Sequence, residues 1–282
     1  MQQRRIGNTT VSAIGLGGMP MSLRGRPPRE RCLRTIQAAL DAGVTLIDTA
    51  DAYCENDADF GHNEELIAQA LREAGAGDVL VATKGGHTRD RHGGWHVDGR
   101  PEYLRSACEA SLRRLGVEAI GLYQFHRPDP RVPFADSVGT LRKLADAGKI
   151  RMAGISNNDT GQIEQAHQIL GGLLASVQNE FSPAFRRSES ELRLCDRLGI
   201  AFLPWSPLGG IGTADSLGDQ HRTFADIAAE RGVSPQQVCL AWMLAKSPVV
   251  VPIPGSSRPE TIRDSAAAAS LTLSDAELTR LG

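Results

Sequence analysis

The stretch VLVATKGGHTRDRHGGWHVDGRPEYLRSACEASLRRLGVEAIGLYQFH, residues 79–126, decides how this chain is read. It opens on an apolar run, 79–84, of a length that suits one strand. It closes on a second run, 119–126. Between them, residues 102–115 set Leu104, Ala107, Cys108, Ser111, Leu112 and Leu115 at the i, i+3, i+4, i+7 spacing of an amphipathic helix. Strand, helix, strand is one βαβ unit, and such crossovers are right-handed. Working outward, further runs fall at 12–18, 44–49, 151–156, 175–179, 200–205 and 249–254. None alternates cleanly, which is the mark of strands covered on both faces. Helical patterns at 28–42 and 134–147 end in Asp41-Ala42-Gly43 and Ala147-Gly148-Lys149, both suited to a C-cap.

Eight such strands close a (β/α)8 TIM barrel. The alternative is an open doubly wound sheet, which announces itself with GxGxxG opening a helix. Gly15-Leu16-Gly17-Gly18-Met19 has the wrong spacing, and the next helix starts about ten residues later. Segments 3–7 and 10–14 flank Asn8 and predict an N-terminal β-hairpin over the bottom of the barrel. No composition shift or Pro/Ser linker divides the chain, so residues 1–282 read as one barrel domain.

Composition sets the outer limits. With 31 basic and 33 acidic residues the net charge is −2, which excludes a general polyanion binder. No apolar run is long enough for a transmembrane helix, and the N-terminus leads into no secretory h-region. Five widely spaced cysteines, Cys32, Cys54, Cys108, Cys195 and Cys239, form no CxxC pair and fit a reduced, cytoplasmic chain. The expected assembly is a monomer, with no nucleic acid or membrane partner.

Barrel chemistry sits on the loops that follow the strands. Those positions hold Asp48 and Tyr53 after strand two, Lys84 at the end of strand three and His126 at the end of strand four. Lys84 stands out because only four of the 31 basic residues are lysines. Lysine can act as a compact point charge or lose a proton, whereas arginine does neither readily. The four residues together suggest a general acid for carbonyl reduction. A phenol titrates near pH 10, too high for easy donation at neutrality. An ammonium ~4 Å away favours the phenolate by about 4 kcal/mol at an effective dielectric of about 20. A carboxylate fixes the lysine, and a histidine orients the carbonyl oxygen.

The blocks Gly43-Val44-Thr45-Leu46-Ile47-Asp48-Thr49-Ala50, Tyr53 and Gly61-His62-Asn63-Glu64 resemble the first signature of the aldo-keto reductase family. The resemblance continues through Val81–Lys84, Leu122–Asp129, Gly148–Arg151, Gly154–Asn157, Gln178–Glu180, Trp205–Leu208 and Ile253–Ser256, in the family's order. It implies an oxidoreductase on the barrel fold that reduces aldehydes or ketones with NADPH, NADH being the other possibility. Under it, Tyr53 is the general acid, Lys84 lowers its pKa, Asp48 anchors Lys84 and His126 orients the carbonyl. Ser156, Asn157 and Gln178 hold the carboxamide, and Trp205 stacks on the nicotinamide. Ser206, Pro207, Leu208, Gly209 and Gly210 run along the pyrophosphate, and Gly18, Met19, Asp48 and Pro254 are further cofactor-binding residues. Gly255, Ser256 and Ser257 lead into a helix start, which suits an anion. Arg258, Thr261, Asp264 and Ser265 complete the adenosine end. Here the chain departs from many relatives, which carry Lys at position 255, Arg or Gln at 261 and Asn at 265. Arg258 and Arg263 are left as the cations nearest in sequence. Gly121 is a further departure, standing where relatives often carry Asp.

The same resemblance allows a second function. Potassium-channel β subunits are similar to the family and turn over slowly as regulatory subunits. His126 and the absence of an N-terminal extension favour the enzyme. The loop GGHTRDRHGGWHVDG, residues 85–99, is expected over the substrate pocket, with Trp95 as its apolar wall. His87, His92 and His96 fit no standard metal signature, so no metal is expected.

Overall fold

A computed structural model describes residues 1–282. Two short strands, β1 (Gln3–Ile6) and β2 (Thr9–Ser12), pair antiparallel as a hairpin. Seven further strands lie side by side in one parallel sheet: β3 (Leu16–Gly17), β4 (Leu46–Asp48), β5 (Leu80–Gly85), β8 (Ile120–Phe125), β9 (Ile150–Ser156), β10 (Leu174–Gln178) and β11 (Ala201–Phe202). The residues between β5 and β8 fold a second hairpin, β6 (His87–Arg89) with β7 (Trp95–Val97). The Asp90 carboxylate tightens its turn by accepting from the Gly94 and His92 amides.

Closure comes from residues 249–255, which take the eighth place without forming a regular strand. On one side Val251 and Ile253 donate to Phe202 and Pro204, while Phe202 donates to Val249. On the other side Gly15 and Gly17 donate to the carbonyls of Pro252 and Pro254. The two prolines have no N–H to return, so the ladder is one-sided there. That is why the expected eighth strand is extended chain that bridges β11 to β3. The approach is close: a Cβ on Gly17 would stand 2.8 Å from the Ile253 carbonyl oxygen. The parallel sheet, its barrel closure and the outer helices agree with the (β/α)8 expectation.

Inside the barrel, Leu46, Leu80, Leu122, Met152, Ala175, Leu203, Val251 and Ile253 form one apolar cluster with Ile6 and Val11 of the first hairpin. The hairpin thus plugs the lower mouth. Outside run α1 (Arg29–Asp41), α2 (His62–Ala74), α3 (Pro101–Leu115), α4 (Phe134–Asp146), α5 (Thr160–Leu170) and α6 (Glu189–Leu198). They are followed by α7 (Leu217–Gln220), α8 (Arg222–Arg231), α9 (Pro235–Lys246), α10 (Pro259–Ala267) and α11 (Asp275–Leu281). Ile262 and Ala266 of α10 pack with Cys32 and Ile36 of α1, which joins the last part of the ring to the first. At Gly121 an added Cβ would lie 2.6 Å from the Leu80 Cδ1, so a larger residue there requires the Leu80 side chain to shift. No helix is long and apolar enough to cross a membrane.

Candidate active site

The period of two along the strands builds the site. Leu46, Leu80, Leu122 and Met152 point into the barrel low down. Counting on by twos, the same inward face presents Asp48, then Lys84, then Gln124 and His126, then Ser156. Each strand therefore passes from an apolar lower layer to a polar upper layer.

Lys84 is the centre of that layer and is fully buried. Its ammonium donates to the Asp48 Oδ2 at 2.7 Å, the Thr49 carbonyl at 2.8 Å and the Tyr53 hydroxyl at 3.0 Å. Three donors meet three acceptors, which leaves no ammonium hydrogen free. Burial works against the charge, but Asp48 and Tyr53 outweigh it and hold the Lys84 pKa above its ordinary value. Asp48 is held in turn by Gln178, whose Nε2 donates to Oδ1 at 2.8 Å, with Gln124 at 3.5 Å. Gln124 also accepts from Ser176 at 3.2 Å. Nothing at the sequence level singled out Gln124 as support for Asp48. The available signal was an amide in the middle of an apolar strand.

Tyr53 sits on a turn after β4, where Tyr53 and Cys54 donate to the Ala50 and Ala52 carbonyls. Its phenol departs from the expectation. Burial raises its pKa, and although Lys84 pulls it down, the net position is above the ordinary phenol value. The low dielectric that strengthens the Lys84 contact also penalises the phenolate. Tyr53 therefore stands as a neutral phenol.

The Tyr53 and His126 rings meet edge to face at 5.7 Å. Burial drives the His126 pKa well below the usual imidazole range, helped by His87 and Lys84. Its Nδ1 is buried without a partner, so Nε2 is the nitrogen that can meet a ligand. Trp205 Nε1 and both Asp51 carboxylate oxygens are buried and unpartnered too. Unsatisfied groups are rare in native interiors, and of these residues His126 and Trp205 line the cleft described next.

Above this layer runs a cleft of about 1050 Å³. Tyr53, His87, Trp95, His126 and Arg127 line one end. The middle is lined by Met19, Asp48, Ser156, Asn157, Gln178 and Trp205, then by Ser206, Pro207, Leu208, Gly210 and Pro254. The far end is lined by Gly255, Ser256, Ser257, Arg258, Thr261, Asp264 and Ser265. Lys84 lies beneath the wall. Gly18 and Gly209 are not on it, and Arg263 is exposed away from it. Cys54 also stays off the wall, and burial pushes its thiol up to about 11. Asn157 and Ser206 are the only non-glycine residues with positive φ, at 63° and 50°, and both face the cleft. Such strain gathers where function holds the backbone in place. Asn157 donates to the His126 carbonyl and to the Ser156 hydroxyl, both at 3.0 Å.

At the far end Arg258 is half exposed and pairs with Asp215 at 3.2 Å and Glu260 at 3.8 Å. Asp264 accepts from Ser234 and Gln237, both at 2.6 Å, so each of its oxygens is already engaged with α9 or its cap. The histidines of the 85–99 loop go separate ways. His87 faces the cleft, His92 accepts from Arg91, and His96 bonds Asp90 at 2.9 Å.

This architecture has close parallels. The chain is 32% identical over 281 residues to an uncharacterized oxidoreductase of Schizosaccharomyces pombe, covering 98% of this chain and 88% of the relative. A glycerol dehydrogenase of Gluconobacter oxydans superposes with a TM-score of 0.85 at 28% identity, over 99% of this chain and 93% of that one. An aldo-keto reductase of Klebsiella pneumoniae, crystallised with NADPH, superposes with a TM-score of 0.82 at 30% identity, over 100% and 94%. Residues 13–282 match the aldo/keto reductase family along their whole length, and the chain belongs to that family.

Proposed function

We propose that the protein is an NADPH-dependent carbonyl reductase that turns aldehydes or ketones into alcohols. The observation that carries this reading is the single ammonium of Lys84 held at once by Asp48, Thr49 and Tyr53. The cleft fits a dinucleotide. It runs from Tyr53 past the Trp205 indole, with its unpartnered Nε1, to the 255–258 segment that enters α10. A bound phosphate there meets a helix N-terminus and Arg258. The Klebsiella pneumoniae relative was crystallised with NADPH, which points to the same cofactor here.

When bound, a reduced nicotinamide supplies a hydride to the carbonyl carbon. The rest is the work of this chain. His126, a neutral imidazole, donates through Nε2 and holds the carbonyl oxygen beside the Tyr53 hydroxyl. Tyr53 gives its proton to that oxygen as negative charge develops. A raised phenol pKa does not prevent the transfer, because an alkoxide is a much stronger base than a phenolate. Lys84 stabilises the phenolate left behind, and Asp48 keeps Lys84 charged and in place. Ser156, Asn157 and Gln178 orient the carboxamide, and Trp205 covers the ring.

The test is a panel of aldehydes and ketones with NADPH, followed by absorbance. We expect turnover by the parent and a loss of about 10²–10⁴ in kcat for Tyr53→Phe, with NADPH binding retained. Near-parental turnover by Tyr53→Phe would remove Tyr53 as the acid.

A further inference from the structure

We propose that His87 accepts a hydrogen bond from a hydroxyl group on the carbon next to the reacting carbonyl, so that α-hydroxy aldehydes and ketones are the favoured substrates. This rests on the reductase reading of the same site.

The argument starts with one hydrogen bond. His87 Nδ1 lies 2.9 Å from the His96 carbonyl oxygen. A carbonyl oxygen only accepts, so Nδ1 carries the hydrogen. A neutral imidazole has one N–H, which leaves Nε2 with a lone pair. Burial holds the ring neutral, with a pKa lowered to about 4. The charged groups nearest it, Arg127, Lys84 and Arg89, are all cations and act in the same direction. No side chain or backbone group donates to Nε2, and His87 lines the cleft.

The ring is also fixed in place. It meets the His126 ring edge to face at 4.3 Å and the Trp95 indole at 5.3 Å. The Arg89 guanidinium lies 3.8 Å over Trp95, and Tyr103 donates to the His87 carbonyl at 3.2 Å. The donors for the carbonyl oxygen, Tyr53 and His126, stand on one side of it. His87 lies one ring further along, against His126. A lone pair there repels a second acceptor and calls for a donor. The group that supplies one is a hydroxyl a bond away from the carbonyl. A substrate without it leaves Nε2 covered and unpaired. Sites built to bond a hydroxyl reject analogues lacking it more strongly than apolar pockets discriminate by size.

The experiment measures kcat/KM with NADPH for three aldehydes: glycolaldehyde, its methyl ether methoxyacetaldehyde, and acetaldehyde. The ether keeps the electron-withdrawing oxygen and removes only the donor. For the parent we expect glycolaldehyde to exceed methoxyacetaldehyde by about tenfold, the worth of one neutral hydrogen bond. In His87→Phe the ratio should fall to about one, and in His87→Gln, which keeps an acceptor oxygen, most of it should return. NADPH titration by fluorescence confirms that each variant is folded. Equal rates for the hydroxyl and ether substrates in the parent overturn the proposal without any variant. So does a ratio that His87→Phe leaves unchanged. Failure to reduce any carbonyl compound overturns instead the reductase reading on which it rests.

Discussion

The two ends of the cleft are built in opposite ways. At the catalytic end, Lys84 is fully buried on a strand and its three N–H groups meet three acceptors of fixed position. At the adenosine end, Arg258 is half exposed on a loop and shares its charge with Asp215 and Glu260, which are more exposed still. Position at the first end follows from strand period and register, with Lys84 directly opposite Gln124. Position at the second end depends on a meeting of two loops, the one carrying Asp215 and the one carrying Arg258. A buried charge with every partner in place tolerates little change. Exposed ion pairs are weak and are easily exchanged. Chemistry should therefore be brittle in this protein, and cofactor preference adjustable.

The largest expected effect tests the brittle end. Lys84→Arg keeps the charge, but a planar guanidinium cannot direct three hydrogens at Asp48, Thr49 and Tyr53 from the same place. We expect kcat to fall by about 10²–10⁴, as far as for loss of the tyrosine hydroxyl. Steady-state rates on any substrate the parent reduces provide the check. If Lys84→Arg retains most activity, the site reads charge rather than geometry, and the contrast with the far end is lost.

Much of the catalytic end was legible in the chain because strand geometry carries it. Asp48, Lys84 and His126 close apolar runs whose inward face repeats every second residue. An arginine-rich chain made Lys84 conspicuous. What escaped depends on the third dimension. Sequence alone makes 85–99 a loop, although Asp90 and Gly94 form the turn of a hairpin that places His87 against His126. The lowering of the Tyr53 pKa was expected from Lys84 alone, since burial is not visible in a sequence. Of the two cations near in sequence, Arg258 is the one expected at the adenosine end, and it lines the cleft while Arg263 does not. Its partner Asp215 lies 43 positions away, in a loop that carries no motif.

A second measurement asks how tightly the catalytic end is sealed. An unfolded histidine takes up a proton near pH 6.5, whereas His87 waits until about 4. Between those values the unfolded chain binds more protons, so folding stability falls as the pH drops through that window. His87→Gln removes this contribution, worth up to about 1.4 kcal/mol per pH unit. Urea midpoints at pH 7 and pH 5 should therefore fall further for the parent than for the variant. Equal falls would mean that His87 is solvated and the catalytic end is open.

At the adjustable end the effects shrink. Arg258→Ala should weaken NADPH by about tenfold and leave NADH nearly unchanged, the loss expected for one charge-assisted contact to the 2′-phosphate. Fluorescence titration of both cofactors decides it. Equal losses would show that Arg258 supports the loop rather than reading the phosphate.

The smallest effect is the sharpest test of adjustability, because its sign is opposite. The Arg258 guanidinium is held by Asp215 at 3.2 Å. To meet a 2′-phosphate, the guanidinium must give up part of that pair. Asp215→Asn removes the competing charge while keeping a side chain of similar shape. The Asp215 side chain is 84% exposed, so the pair is a surface one. Such pairs contribute about 0.2–1 kcal/mol, and NADPH should bind only a few-fold more tightly to the variant. NADH, which lacks the phosphate, should not follow. The gain should also shrink as salt is raised, since exposed charges are screened over about 10 Å at 0.1 M. Tighter NADPH at low salt, lost at high salt, would place Arg258 between two exchangeable partners. Weaker NADPH would show that Asp215 holds Arg258 in its binding position, and that this end is as preorganised as the other.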